Sequence, residues 1–167
     1  MKRGFTLIEV LISIAIVAFI SGGVLVNLNQ YNSRQKLNKS IDDVVSSFKL
    51  VQSYAKTRQL PVDSAETELK YIQVQIVDGK YLVADANGVG STYFHTLVNT
   101  DEVTVSSIPA VIYFWPGSGK LVKDIGGTAY GSGETVTITI QANSDISDHG
   151  VLEINSLGQI NVISISE

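Results

Sequence analysis

The residue best placed to do chemistry in this sequence is an acid in an unfavourable setting. Glu9 stands in a predominantly apolar run from Phe5 to Leu28, just behind a short basic leader, Met1-Lys2-Arg3-Gly4. A carboxylate in hydrocarbon costs roughly 3 kcal/mol or more unless something answers its charge. Its natural partner is a cation, because pairing relieves the cost of burying each charge alone. The competing reading keeps Glu9 near the membrane interface, where it snorkels or stays protonated. Other constellations offer less. His95 and His149 are the only histidines and the chain has no cysteine, too few ligands for a zinc site. Gly117-Ser118-Gly119 lacks the spacing of a nucleophile elbow, and the glycine-rich segments lack the lysine and helix of a phosphate loop. Asn143, Asp145 and Asp148, with Ser144 and Ser147, gather oxygen ligands in one short stretch, as calcium prefers. They lack the Gly and bidentate Glu of an EF-hand, and a polar inter-strand loop is expected in the same place. Those three are carried as calcium candidates; no other metal, no cofactor and no catalytic residue is expected, and the chain does not read as an enzyme.

The element that positions Glu9 is a helix. As a helix, the run from Phe5 to Leu28 spans about 36 Å at 1.5 Å per residue, enough to cross a hydrocarbon core of roughly 30 Å. Lys2 and Arg3 precede it and favour a cytoplasmic N-terminus, with everything after the run outside. A secretory signal peptide fits poorly. Its apolar core is shorter and is followed by a small-residue cleavage site, whereas Ser21-Gly22-Gly23 lie inside this run. Gly22 and Gly23 each cost about 1 kcal/mol against Ala in a helix; a hinge and close helix–helix packing explain them equally well.

The helical period continues beyond the run. Leu37, Ile41, Val44 with Val45, Phe48, Val51 and Ala55 recur at steps of three and four, which makes one apolar stripe. Leu60-Pro61 is the expected stop, since proline disfavours helix in the residue before it. One long helix of about 54 residues, or 80 Å, is therefore expected, membrane-bound over 5–28 and amphipathic over 29–60. After Pro61 the period becomes two. Ile72, Val74 and Ile76 alternate with Gln73 and Gln75, and Asp78-Gly79 turns the chain into Lys80-Tyr81-Leu82-Val83, the signature of a hairpin. Further strands are expected at Val103 to Ser106, Ala110 to Trp115, Thr135 to Gln141, Val151 to Ile154 and Gln159 to Ile165. Residues 61–167 thus form a β-rich domain, and the whole is α+β: a long N-terminal helix packed on an antiparallel sheet or small sandwich.

Composition narrows the function. The chain has 167 residues and a formal net charge of −4, which with its scattered lysines and arginines argues against nucleic acid as a partner. Without cysteines, a domain outside the cytoplasm relies on its core for stability. No internal repeat or low-complexity segment is visible, and residues 124–133 read as a glycine-rich loop.

Gly4-Phe5-Thr6-Leu7-Ile8-Glu9-Val10 resembles the class III signal sequence of type IV pilins and type II secretion pseudopilins. The resemblance implies a leader over residues 1–4, cleavage of the Gly4–Phe5 bond by a prepilin peptidase, and methylation of the new amine on Phe5. It also implies a role for Glu9 in assembly. The cationic amine of an incoming subunit would reach Glu9 of a neighbour in a staggered stack, an attraction of roughly 4 kcal/mol at 4 Å and an effective dielectric near 20. Tyr113-Phe114-Trp115-Pro116-Gly117-Ser118-Gly119, and the segment from Thr135 to Ile160, are similar to the GspH/FimT-like minor pseudopilins, which usually carry Arg where Gln159 stands. What the resemblance implies is a structural subunit of a type II secretion pseudopilus or type IV pilus. Its partners would be other pilins, an inner-membrane assembly platform and, before assembly, the lipid bilayer. It would start as a single-pass inner-membrane protein and end in a periplasmic or extracellular filament. A major pilin forming the shaft and a membrane-anchored binding domain that never polymerises are the alternatives. The aromatic trio Tyr113-Phe114-Trp115 fits either core or a contact patch.

Overall fold

The computed structural model of the chain describes residues 6–62, 64–88, 91–97, 103–143 and 148–165, without the side-chain surroundings of residues 23–30, 81, 91, 92, 94–97, 164 and 165. Two compact units divide at Gln35 and Lys36. Helix α1, Leu7–Thr57, contributes to both.

In the first unit, α1 is exposed all round over residues 6–22. Leu7 is 83% exposed and Phe19 88%, with Leu11, Ile14 and Val17 also open. Nothing in the unit covers these side chains. The hydroxyls in this stretch turn inward on the helix: Ser13 donates to the Glu9 carbonyl at 2.8 Å and Ser21 to the Val17 carbonyl at 2.7 Å. Both polar groups are thereby satisfied without water, as an apolar surrounding demands. Among the described residues no helix is long and apolar enough to cross a membrane.

In the second unit the expected stripe is the core-facing side of α1: Leu37, Ile41, Val44, Phe48, Val51 and Ala55 are all buried. Burial of each large member is worth about 1.5–3 kcal/mol. The helix ends about a turn before Leu60-Pro61. Arg58 takes a left-handed conformation (φ 54°), and the Gln59 amide donates to the Tyr54 carbonyl at 3.0 Å, closing a Schellman cap.

Among the described residues nine strands follow: β1 Ile72–Val77, β2 Tyr81–Ala86, β3 Ser91–Leu97, β4 Val103–Ile108, β5 Val111–Phe114, β6 Leu121–Val122, β7 Thr135–Ala142, β8 His149–Asn155 and β9 Ile160–Ile165. They form two sheets, of order β3-β2-β1-β5-β6 and β4-β7-β8-β9, with antiparallel neighbours throughout. Alternate residues of both sheets join the helix stripe in a single apolar core; β7, for example, buries Val136, Ile138, Ile140 and Ala142. The α+β architecture of a helix packed on antiparallel sheets is the one the sequence leads one to expect. Two strands were not expected, β3 and the very short β6.

The β1–β2 hairpin turns at Asp78-Gly79, whose φ values of 54° and 64° are those of a type I′ turn. The Val77 carbonyl accepts from the Lys80 amide at 3.0 Å, and the Gly79 carbonyl accepts from Val105 of β4 at 2.8 Å. The tip of one sheet's hairpin is thus pinned to an edge strand of the other.

Candidate functional site

Thr6 is the N-cap of α1, and it meets Glu9 there. The Glu9 carboxylate accepts from the Thr6 amide at 3.3 Å and from the Thr6 hydroxyl at 3.3 Å, while the Glu9 amide donates back to the Thr6 hydroxyl at 3.4 Å. This is a capping box, in which a Thr and a Glu three residues on satisfy each other's orphan amides. The carboxylate also sits at the positive end of the helix dipole. All three bonds are long and exposed, so the group stays open to a stronger partner such as an ammonium. The pattern Thr6-x-x-Glu9 is plain in the sequence, and the capping contacts add a local role for Glu9 to the cationic partner expected for it. Gly4 and Phe5 lie outside the described residues.

The other end of α1 is clasped by two turns that carry the segments resembling minor pseudopilins. The Gly117 amide donates to the Ala55 carbonyl at 2.8 Å, capping the helix from the Pro116-Gly117-Ser118-Gly119 turn. One turn back along the helix, Gln52 donates its side-chain amide to the Gly119 and Gly158 carbonyls, each at 3.1 Å. Both glycines need their missing side chain. Gly158 (φ 79°) would place a Cβ 2.6 Å from the Gly119 carbonyl oxygen, and Gly119 (φ 64°) would place one 2.7 Å from Lys56. The turn at Gly158 is itself built by Asn155, whose side-chain oxygen accepts from the Leu157 and Gln159 amides at 3.0 Å each. Gln159 fits there by accepting from the Asn155 amide at 2.9 Å. Gln52 and the Ala55 carbonyl take these roles only through tertiary contact, which the sequence does not display, and Asn155 through a local turn.

The aromatic trio splits between the two readings. Phe114 is buried and tilts against Phe48 at 6.3 Å. Tyr113 is half-buried on the opposite face. Trp115 is 38% exposed and packs against Gly127, where an added Cβ would stand 2.5 Å from the ring. Trp115, Lys120, Tyr130 and Leu157 are among the residues lining a shallow hollow of about 220 Å³. On the far side of the helix end Tyr54 and Tyr93 stack at 5.0 Å. Tyr93 donates its hydroxyl to the Gln59 carbonyl, and burial, with Tyr54 beside it, raises its pKa.

Of the calcium candidates, Asn143 accepts from the Thr104 hydroxyl at 2.7 Å and Asp148 gives its backbone carbonyl to the Ala142 amide at 2.9 Å. Asp145 lies outside the described residues. Among the described residues no group of three or more His, Cys, Asp or Glu is placed to hold a metal.

Residues 1–25 match the prokaryotic N-terminal methylation motif. The fold matches two crystal forms of the type IV minor pilin FimU of Pseudomonas aeruginosa strain PAO1. The P21 form has a TM-score of 0.57 at 17% identity, over 80% of this chain and 92% of that one. The P65 form has a TM-score of 0.54 at 18% identity, over 77% and 93%. No curated protein matches the chain. The chain carries this N-terminal motif and shares its fold with that minor pilin.

Proposed function

We propose that the chain is a minor pseudopilin or minor pilin, most like the GspH/FimT-like group, that joins a type II secretion pseudopilus or a type IV pilus. The observation that carries the proposal is the methylation motif over residues 1–25, standing at the head of a helix whose described apolar side chains the chain leaves uncovered. Prepilin peptidase cuts the Gly4–Phe5 bond on the cytoplasmic side and the Phe5 amine is methylated. The chain waits as a single-pass inner-membrane protein with its β-rich domain outside. It then moves into a filament, where Glu9 exchanges its Thr6 contacts for the Phe5 amine of a neighbouring subunit. A charge-assisted bond to an ammonium is roughly twice as strong as a neutral one, which favours that exchange. Membrane cost and assembly are linked through the same carboxylate.

Co-expression with a prepilin peptidase, followed by intact-mass measurement of the membrane extract, tests the processing step. The expected product lacks Met1 to Gly4 and carries one added methyl; an uncut chain would refute the proposal. Glu9→Ala is expected to be cut normally but to enter sheared filaments poorly. Normal incorporation of that variant would remove Glu9 from the mechanism.

A further inference from the structure

The first sheet has a carboxylate on its outer face that the chain does not satisfy. Asp85 of β2 lies opposite Gln73 of β1, and Gln73 lies opposite Tyr113 of β5. The three form one row across the sheet, on the face away from the buried Val74, Ala84 and Ile112. Gln73 donates its amide to Asp85 Oδ2 over a long 3.4 Å. Oδ1 is buried and has no hydrogen-bond partner, the one side-chain atom so placed among the described residues. An ionised carboxylate offers about four acceptor positions, and this one fills a single position weakly. The residue as a whole is only half-buried, so part of it faces solvent although Oδ1 itself does not.

Its surroundings say what it would accept. Tyr71 stands edge-on to Tyr113, with ring centres 5.8 Å apart and an interplanar angle of 82°. The Tyr71 hydroxyl donates to the Asn87 carbonyl at 2.8 Å, and Asn87 is itself fixed by accepting from the Lys70 amide at 2.7 Å and donating to the Glu68 carbonyl at 2.9 Å. The ring therefore cannot swing away. The held Tyr71 ring, with Tyr113 against it, and an under-used carboxylate suit a guanidinium or an ammonium, which draws on both the charge and the aromatic surface. One carboxylate and one amide are too few oxygens for calcium. Natural proteins break local rules of this kind chiefly at functional positions.

We propose that Asp85, with Gln73, Tyr71 and Tyr113, is a docking site for a basic side chain, Arg or Lys, of a neighbouring subunit. This rests on the filament reading of the chain, and the experiment separates the two. The full chain, isotope-labelled in detergent micelles, is titrated with N-methylguanidinium chloride against a sodium chloride control, and resonances of Tyr71 and Tyr113 are followed. Wild type and Asp85→Glu are expected to give saturable shifts confined to this row. Asp85→Asn is expected to bind at least tenfold more weakly while its melting temperature stays level or rises, because an unmet charge is removed. In filaments, Asp85→Asn is expected to be incorporated several-fold less than wild type. Equal guanidinium binding by Asp85→Asn and wild type, or a lowered melting temperature with unchanged binding, overturns the site. Wild-type chain that binds guanidinium at this row yet never enters filaments would overturn the filament reading and leave the cation site standing.

Discussion

At the residue scale the fold depends on a few side chains that reach across it, and Gln52 is the clearest. Its amide holds the carbonyls of two turns 67 and 106 residues away in the sequence, at Gly119 and Gly158. Those carbonyls belong to tight turns with positive φ, so neither turn has a second conformation in which to recover the lost bond. Gln52→Ala is expected to cost about 1–3 kcal/mol, the usual penalty for leaving partly buried acceptors unmet, read as a lower urea midpoint at unchanged slope. Gly158→Ala attacks the same contact from the other side, since its new Cβ would stand 2.6 Å from a backbone oxygen. The double variant is expected to lose less than the sum of the two, because one contact cannot be lost twice. Full additivity, or a loss below about 0.5 kcal/mol for Gln52→Ala, a size usual for surface changes, would show that the clasp contributes nothing of its own. None of this is readable in the sequence, where Gln52 is simply a polar residue on the solvent side of a periodic stripe.

At the element scale, what the sequence shows depends on whether an element makes its own pattern. The α1 stripe and strands such as β7 are written in apolar periods of 3.6 and 2. Strand β3 places Ser91, Thr92, His95 and Thr96 around its aromatics; its pairing to β2, rather than its own residues, makes it a strand. Strand β6 has two residues, too few for any period. The loop after it, residues 123–134, is legible as glycine-rich but not as ordered. Its order comes from two acids. Asp124 accepts from the Gly126 amide at 2.9 Å and the Thr128 amide at 3.2 Å, and Glu134 pairs with Lys123 at 2.7 Å while accepting from the Gly131 amide. Thr128 chiefly holds the Asp124 carboxyl below its usual pKa, and Lys123 does the same for Glu134. A depressed pKa stabilises the loop at neutral pH, and that contribution fades as pH falls through the folded value. Trp115, the single tryptophan, packs on this loop at Gly127 and reports on it. Its emission is expected to shift red below about pH 4, the ordinary carboxylate range, before the rest of the domain unfolds. Asp124→Ala should show the shifted emission already at neutral pH. Emission that stays constant through acid in wild type would mean that the carboxylates do not order the loop.

At the scale of the whole molecule, the two units make opposite demands on their surroundings. Among the described residues every buried apolar side chain comes from Leu37 or later, while residues 6–22 leave theirs exposed. The sequence makes this division legible through its long apolar run and the later stripe. It also displays the motif Gly4-Phe5 and Glu9, though the neighbour that would answer Glu9 in a filament belongs to another chain and leaves no trace here. A chain starting at Lys36 keeps the α1 stripe, both sheets and the clasp at Gln52. Its helical part, some 22 residues, would be marginal alone in water, but the packed sheets supply what it lacks. Such a fragment is expected to be monomeric without detergent and to unfold in one cooperative transition, within the 5–15 kcal/mol usual for a single domain. The full chain is expected to need detergent or lipid, and to associate when these are diluted away. Calorimetry and sedimentation on both species decide the matter. A fragment with no cooperative transition would mean that the first unit is part of the folding unit. A full chain that stays monomeric in plain buffer would mean that the apolar helix finds cover within its own molecule, and the case for assembly through that helix would fail.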